Sequence, residues 1–147
     1  MNIIFYFFAV LCGVANSIQS GVNAELRKGI NNPIFAAIIS FSVGLVGLIL
    51  ITPFFKEPLP SLSALKSLAW WKWIGGILGA FFVTTVILIV QKIGSANMLA
   101  LIVAGQLITA MILDHYGLLG YKMHPITLWR IVGGVVTVVG VYMIVKN

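Results

Sequence analysis

Four polar side chains recur at helical spacing within the first apolar segment of the sequence. Asn16, Gln19, Ser20 and Asn23 stand at positions i, i+3, i+4 and i+7, so a helix places them on one face, which Gly13 extends. An unpaired polar group in hydrocarbon costs several kcal/mol, so this face must meet a partner helix or a water-filled cavity. Four aligned groups exceed what packing requires, and we therefore predict a substrate cavity. Hydrogen bonding between helices is the alternative.

Further polar side chains fall within the later apolar segments. Thr84 lies slightly past the middle of its segment, and Gln106 lies near the middle of the next one. Together with Ser40 and Ser42, they concentrate in the same half of the membrane as the polar residues of the first segment. This distribution predicts a vestibule that opens to one side, ends near Gln106 and receives a small-molecule substrate. Leu48 is expected to face lipid.

One acid lies near the end of the fourth apolar segment. Asp114 is about two helical turns beyond Gln106, where the negative end of the helix dipole disfavours a carboxylate. It therefore needs a basic partner, and His115, Lys122 or Arg130 could supply one. We interpret it as a structural ion pair at the interface. A proton-coupling carboxylate is the alternative, because ionisable groups inside membrane helices tend to be functional.

Enzymatic chemistry finds little support in the sequence. It contains no HExxH or GxSxG motif and no Cys/His set with metal-ligand spacing, and Cys12 is its single cysteine. We predict no catalytic residues, no bound metal and no cofactor. Glu25 and Glu57 lie beside basic residues at segment ends and are predicted to be surface charges.

The composition requires a membrane. Only 8% of the 147 residues are charged and the mean hydropathy is +1.11, whereas a soluble domain has about 25% charged residues. The net charge of +6 does not indicate nucleic-acid binding, because the basic residues are scattered between the apolar runs. The first run has no basic residues before it and exceeds signal-peptide length, so we predict that it is a permanent membrane helix.

Five segments are long enough to cross a bilayer, which takes about 20 apolar residues. We predict an all-α integral membrane protein with a single domain, 1–147, in which Pro33 and Pro125 each begin a helix and Asn31 or Asn32 caps the second. The linker at 56–72 is rich in tryptophan and suits either a short interfacial helix or a plain loop. The predicted helices are residues 3–24, 33–55, 71–90, 95–119 and 125–145.

The loop charges give almost no preference for one orientation. Five spans put the ends of the chain on opposite sides, here called side A (the N-terminal side) and side B. Side A receives five basic side chains and side B four, a near-tie under the positive-inside rule. The tie predicts insertion in both orientations, although the first helix alone could fix one. The basic residues are Lys56, Lys66, Lys72, Lys122 and Arg130 on side A and Arg27, Lys28, Lys92 and Lys146 on side B.

Three blocks of sequence resemble a known family. QSGVNAELRKGINNPIFAAIISFSVGLVG, WWKWIGGILGAFFVTTVILIVQKIGSA and AGQLITAMILDHYGLLG, followed by WRIVGG, are similar to the YdcZ-like branch of the drug/metabolite transporter superfamily. The resemblance covers nearly the whole chain. It implies a five-helix half-unit in a bacterial inner membrane, related to the small multidrug resistance transporters, which act as antiparallel dimers.

One departure from those relatives bears on the substrate. They use a glutamate midway along the first helix to couple protons to cationic drugs, whereas this chain reads LCGVANS there, with Gly13 or a neighbour in its place. A neutral or mildly polar solute therefore fits better. We expect a transporter subunit that works by alternating access as an inverted homodimer. The alternatives are a non-transporting scaffold or regulatory protein, and a half-transporter that needs a different subunit.

Overall fold

The structure is a computed structural model that describes residues 3–56 and 58–146. These residues form α-helices and short 3₁₀ turns and contain no strand, which confirms the all-α prediction. In this described part of the chain, five helices are long and apolar enough to span a membrane, as predicted. The α-helices are α1 (Ile3–Ile30), α2 (Pro33–Phe55), the five-residue α3 (Leu62–Lys66), α4 (Ile74–Ile93), α5 (Ser95–Tyr116) and α6 (Leu128–Lys146).

The first helix is longer than the predicted 3–24. It continues to Ile30 and carries Arg27 and Lys28 in its last turn, where basic side chains oppose the negative end of the helix dipole. Asn31, with φ of 51°, leaves the helical conformation and ends α1. Asn32 then caps α2 by accepting the main-chain N–H groups of Ile34 and Phe35. Proline occupies the first turn of α2, as predicted.

The linker before α4 is partly helical. Ser61 accepts the main-chain N–H of Ala64 and caps α3, so a short helix exists, although its place in the membrane interface stays a prediction. Trp70–Trp73 form a 3₁₀ turn, and α4 therefore begins at Ile74 rather than at residue 71. It runs on to Ile93 because the first breaker is Gly94, with φ of 83°. Glu57 lies outside the described residues.

The helices group into two compact units, Met1–Lys92 and Ile93–Asn147. In the first unit Ala36 and Ala37 of α2 pack against Ile87 of α4 in a buried core. Further along α2, the ring of Phe41 lies over Gly79, where a Cβ would come within 3.7 Å of it. From the first contact to the second, the residue numbers rise along α2 and fall along α4, so these two helices are antiparallel.

The second unit is the hairpin of α5 and α6. Helix α5 ends at Tyr116 rather than at 119, because Gly117 takes the left-handed conformation, with φ of 61°. Helix α6 begins at Leu128 rather than at Pro125, since the hydroxyl of Thr127 accepts the N–H of Arg130 and supplies the cap. The prediction of a single domain stays a prediction.

Candidate solute-binding groove

The polar side chains on α1 differ in how far they are buried. Ser20 and Asn23 are buried, with 3% and 4% of their surface exposed, whereas Asn16 is half-buried and Gln19 is exposed. The hydroxyl of Ser20 donates a hydrogen bond of 2.8 Å to the main-chain oxygen of Asn16, so its donor is paired within the helix. Polar side chains therefore run from the packed interior of the unit to its open surface.

A groove of about 640 Å³ lies between α1 and α2 where Gln19 emerges, and we call it the amide groove. Gln19 and Ser40 supply its polar groups, while Phe41 offers a ring edge and Gly44 leaves room on the α2 side. Leu48 lines this groove and is 62% exposed, so the prediction that it faces lipid stays a prediction. The lining residues are Gln19, Ser40, Phe41, Gly44, Leu45 and Leu48.

The amides on α1 lack partners. Among the residues that the structure describes, the side chains of Asn16, Gln19 and Asn23 make no hydrogen bond with any other residue. A side-chain amide carries two donor hydrogens and an acceptor oxygen, and leaving these unpaired away from water is unfavourable. These groups are therefore available to water, to a solute or to another protein chain.

The amide groove carries no charge among its lining residues. The nearest acid along α1 is Glu25, which lies on the exposed surface and pairs with Lys28 at 2.6 Å. The guanidinium of Arg27 donates to the main-chain oxygen of Ile87. The arrangement can donate and accept hydrogen bonds and bury an apolar body, but it offers no counter-charge to an ion.

The structure gathers only part of the predicted cavity in this groove. Gln19 lines it, whereas Gly13, Asn16, Ser20, Asn23 and Thr84 do not. Gly13 is exposed and Thr84 is half-buried on α4. Gln106 lies on α5 in the second unit, where it is exposed and makes no hydrogen bond within the described residues, so the vestibule that ends near it stays a prediction.

Sequence reasoning missed the apolar residues on the α2 side of the groove. Phe41 and Leu45 carry no polar atom, so nothing in the sequence separates them from ordinary lipid-facing residues. Ser40 and Gly44 did leave a signal, because small residues four apart share a helix face. That spacing alone fits helix packing as well as a groove.

Asp114 pairs with Arg130, one of its three candidate partners. A guanidinium nitrogen lies 3.3 Å from Oδ2 of Asp114, and another donates to the main-chain oxygen of His124. His124 in turn donates its main-chain N–H to the main-chain oxygen of Asp114 at 2.8 Å. Nδ1 of His115 accepts the N–H of Ile126, so that bond requires an unprotonated Nδ1. The four interactions hold the α5–α6 connection against both helices.

Within the described residues, five helices long and apolar enough to span a membrane define a multi-pass integral membrane protein, and two polar side chains line its amide groove. The chain belongs to the family described as "Putative inner membrane exporter, YdcZ", which it matches over residues 4–143. It is 28% identical to the inner membrane protein YdcZ of Escherichia coli over 141 residues, covering 95% of this chain and 93% of that protein. No solved structure matches.

The family assignment settles the location and the broad role. The chain is a multi-pass protein of the bacterial inner membrane whose spanning helices contact lipid. The descriptions of the family and of the relative are those of a membrane exporter rather than of an enzyme. The expected resemblance is therefore confirmed, and a transport role follows from it.

Proposed function

We propose that this protein exports a small, neutral organic solute by alternating access, as an antiparallel homodimer. The solute binds at the amide groove, where Gln19 and Ser40 hydrogen-bond to it and Phe41 packs against its apolar part. The direction of transport follows the description of the family as an exporter.

The observation that carries the proposal is the set of amides without partners on α1. A scaffold protein would satisfy Asn16, Gln19 and Asn23 through contacts between helices, and within the described chain none of the three is satisfied. Among the described residues no buried side-chain nitrogen or oxygen lacks a partner, so the amide atoms of these three residues are open to the surface rather than sealed in the core. A solute or water that enters from one side of the membrane would supply the missing bonds.

The absence of charge along the lining of the groove favours a neutral solute. An ammonium or carboxylate group that leaves water needs a counter-charge, and none of the residues that form the amide groove provides one. The lining is mostly apolar with two polar groups, which suits a molecule with a hydrophobic body and one or two hydrogen-bonding groups.

A second copy explains the exposure of Gln19. Gln19 is exposed, and an unpaired amide that faced lipid would be expensive. A second chain would enclose the amide groove, and an inverted partner would present the same groove to the other side of the membrane. The near-tie of loop charges permits that inversion.

Thiol labelling tests the proposal. Asn16, Gln19, Asn23 and Gln106 are replaced singly by cysteine in a Cys12→Ala background, and a membrane-impermeant maleimide is added to inverted vesicles and to whole cells. We expect labelling of all four, most slowly at the buried Asn23. The matched control is Val43→Cys, because Val43 is exposed on α2 but does not line the amide groove. Leu48 is unsuitable as a control.

Two results would contradict the proposal. Equal protection of all four positions and of Val43 would favour the scaffold interpretation, because no water would reach the amides. A purified chain that stays monomeric by native mass spectrometry in mild detergent, and associates only with a different subunit, would exclude the homodimer.

A further inference from the structure

A second groove lies between α5 and α6, and its lining is wholly apolar. It encloses about 430 Å³, and we call it the acyl groove. Its lining residues include Ile108, Met111, Ile112, Ile131, Val135 and Val139. Met111 is half-buried, and the other five of these side chains are exposed.

The acyl groove has the length of one membrane leaflet. From Ile131 to Val139, α6 rises about 12 Å at about 1.5 Å per residue. Half of a bilayer's hydrocarbon core is about 15 Å thick. On α5 the groove reaches Ile108, which is also about 12 Å from the end of that helix at Tyr116. The groove therefore runs from one end of the hairpin to near mid-membrane and stops there.

Aromatic residues fix the depth of the open end. Tyr116, Tyr121 and Trp129 all lie at this end of the hairpin and are all exposed. Tyrosine and tryptophan concentrate at the level of the lipid headgroups, where the ring is apolar and the N–H or O–H reaches water. Ile126 and Ile131 line the acyl groove beside them, so its mouth lies at the headgroup region.

The charge at the mouth is positive. Asp114 is the acid of this hairpin, and Arg130 pairs with it at 3.3 Å. Lys122 is exposed and makes no ion pair within the described residues. A smaller groove that contains Asp114 and Arg130 adjoins the acyl groove, and the two share Met111 and Gly134. Asp114 pairs with the guanidinium, so Lys122, in the loop at this end of the hairpin, leaves the charge there positive.

We propose that the acyl groove binds one chain of a phospholipid with an anionic headgroup, held at the side A surface by Lys122. A partner helix would cover the hairpin along its whole length, whereas this groove ends at mid-membrane, as a single acyl chain does. The site is separate from the amide groove, and the proposal does not depend on the transported solute.

Native mass spectrometry of the full chain tests the proposal. The protein is purified in mild detergent, stripped of lipid and titrated with phosphatidylglycerol or with phosphatidylcholine of the same chain length. We expect one phosphatidylglycerol to bind about fivefold more tightly than phosphatidylcholine. This is the factor that one basic residue contributes to binding an anionic lipid surface. Lys122→Gln should remove that preference while phosphatidylcholine binding persists.

A matched pair of substitutions locates the lipid. Val135→Trp fills the acyl groove and should abolish retention of either lipid, whereas Val136→Trp should leave it unchanged, because Val136 is exposed but lies outside the lining. Circular dichroism and a single elution peak establish that each variant is folded. If Val135→Trp does not fold, the smaller change Val138→Phe replaces it.

Three results would overturn the proposal. Equal lipid retention by the Val135 and Val136 variants would place the lipid elsewhere. Equal retention of the two lipids by the unaltered chain would remove the role of charge. Conversion of a dimer to a monomer by Val135→Trp, with the lipid count per chain unchanged, would show that a second copy occupies the groove.

Discussion

The guanidinium of Arg27 donates a hydrogen bond of 3.1 Å to the main-chain oxygen of Ile87, and so ties the end of α1 to α4. A second bond crosses between the same helices, from the side-chain amide of Gln91 to the main-chain oxygen of Ala24, at 3.2 Å. Both bonds lie next to the buried Asn23. The last turns of α1 are therefore tied to α4, and we expect these two helices to move together during transport.

This tie predicts a loss of stability in Arg27→Met. The substitution keeps much of the apolar stem but removes the donor, and a hydrogen bond from a charged group contributes about 1.5–3 kcal/mol. Because Arg27 is only half-buried, we expect about 1–2 kcal/mol, measured by thermal or detergent-induced unfolding of the purified protein.

Lys28→Met is the matched control for Arg27. Lys28 is the next residue, is exposed and holds only a surface ion pair with Glu25, so its removal should change the free energy of unfolding by less than about 0.5 kcal/mol. Equal effects of the two substitutions would show that net charge at this end of α1 matters, rather than the bond to Ile87.

The buried core of the first unit predicts a second stability effect. Ile87 is fully buried against Ala36 and Ala37, and Ile87→Ala would leave a cavity that two alanines cannot fill. Such substitutions cost about 2–5 kcal/mol in soluble proteins. We expect about 2 kcal/mol here, because lipid also solvates an isoleucine in the unfolded reference state.

The neighbouring Leu88 provides the control for the core. It is 37% exposed, so Leu88→Ala should cost less than half as much in the same unfolding measurement. A smaller loss at Ile87 than at Leu88 would mean that the packing of α4 on α2 contributes little to the stability of the unit.

The helices and their number could be predicted from the sequence, because apolar length is a local property. Five helix boundaries differ from the predicted ones by more than one residue, and each depends on a cap or a local conformation rather than on hydropathy. Asn31 ends α1 and Gly94 ends α4, both with a positive φ. Gly117 ends α5 by its left-handed conformation, Thr127 replaces Pro125 as the start signal of α6, and the Trp70–Trp73 turn delays α4.

The polar residues of the candidate site could be predicted from the sequence, and the apolar residues could not. The spacing of the polar residues from Asn16 to Asn23 identifies one face of the helix, whichever elements the helix packs against. The amide groove also needs Phe41 and Leu45 from another helix, and only the tertiary contacts select those side chains from the many apolar residues of α2.

The loop charges predict that the chain inserts in both orientations. A reporter fused to the C-terminus should give signal on both sides of the membrane. Leu59→Lys with Ser63→Lys adds two positive charges to an exposed linker on side A and should leave one orientation, with side A in the cytoplasm.

The control for topology places glutamine at the same two positions. It alters the linker without adding charge and should preserve both orientations. A native chain with a single fixed orientation and a parallel dimer would contradict the inverted-homodimer proposal.

The last prediction concerns Asp114, which we propose to be structural rather than proton-coupling. Asp114 lies in the last turn of α5, and a guanidinium nitrogen of Arg130 is 3.3 Å from its carboxylate, so it has a partner within the hairpin. Asp114→Asn keeps an oxygen that Arg130 can reach, so it should lower stability modestly. Arg130→Met should lower it more, because it also breaks the bond to His124.

Once a substrate is identified, transport into vesicles between about pH 5 and pH 8 should show the same pH dependence in Asp114→Asn as in the native protein. The decisive contrary result is a folded Asp114→Asn protein that has lost proton-driven accumulation but retains downhill exchange, since that would make Asp114 the coupling residue.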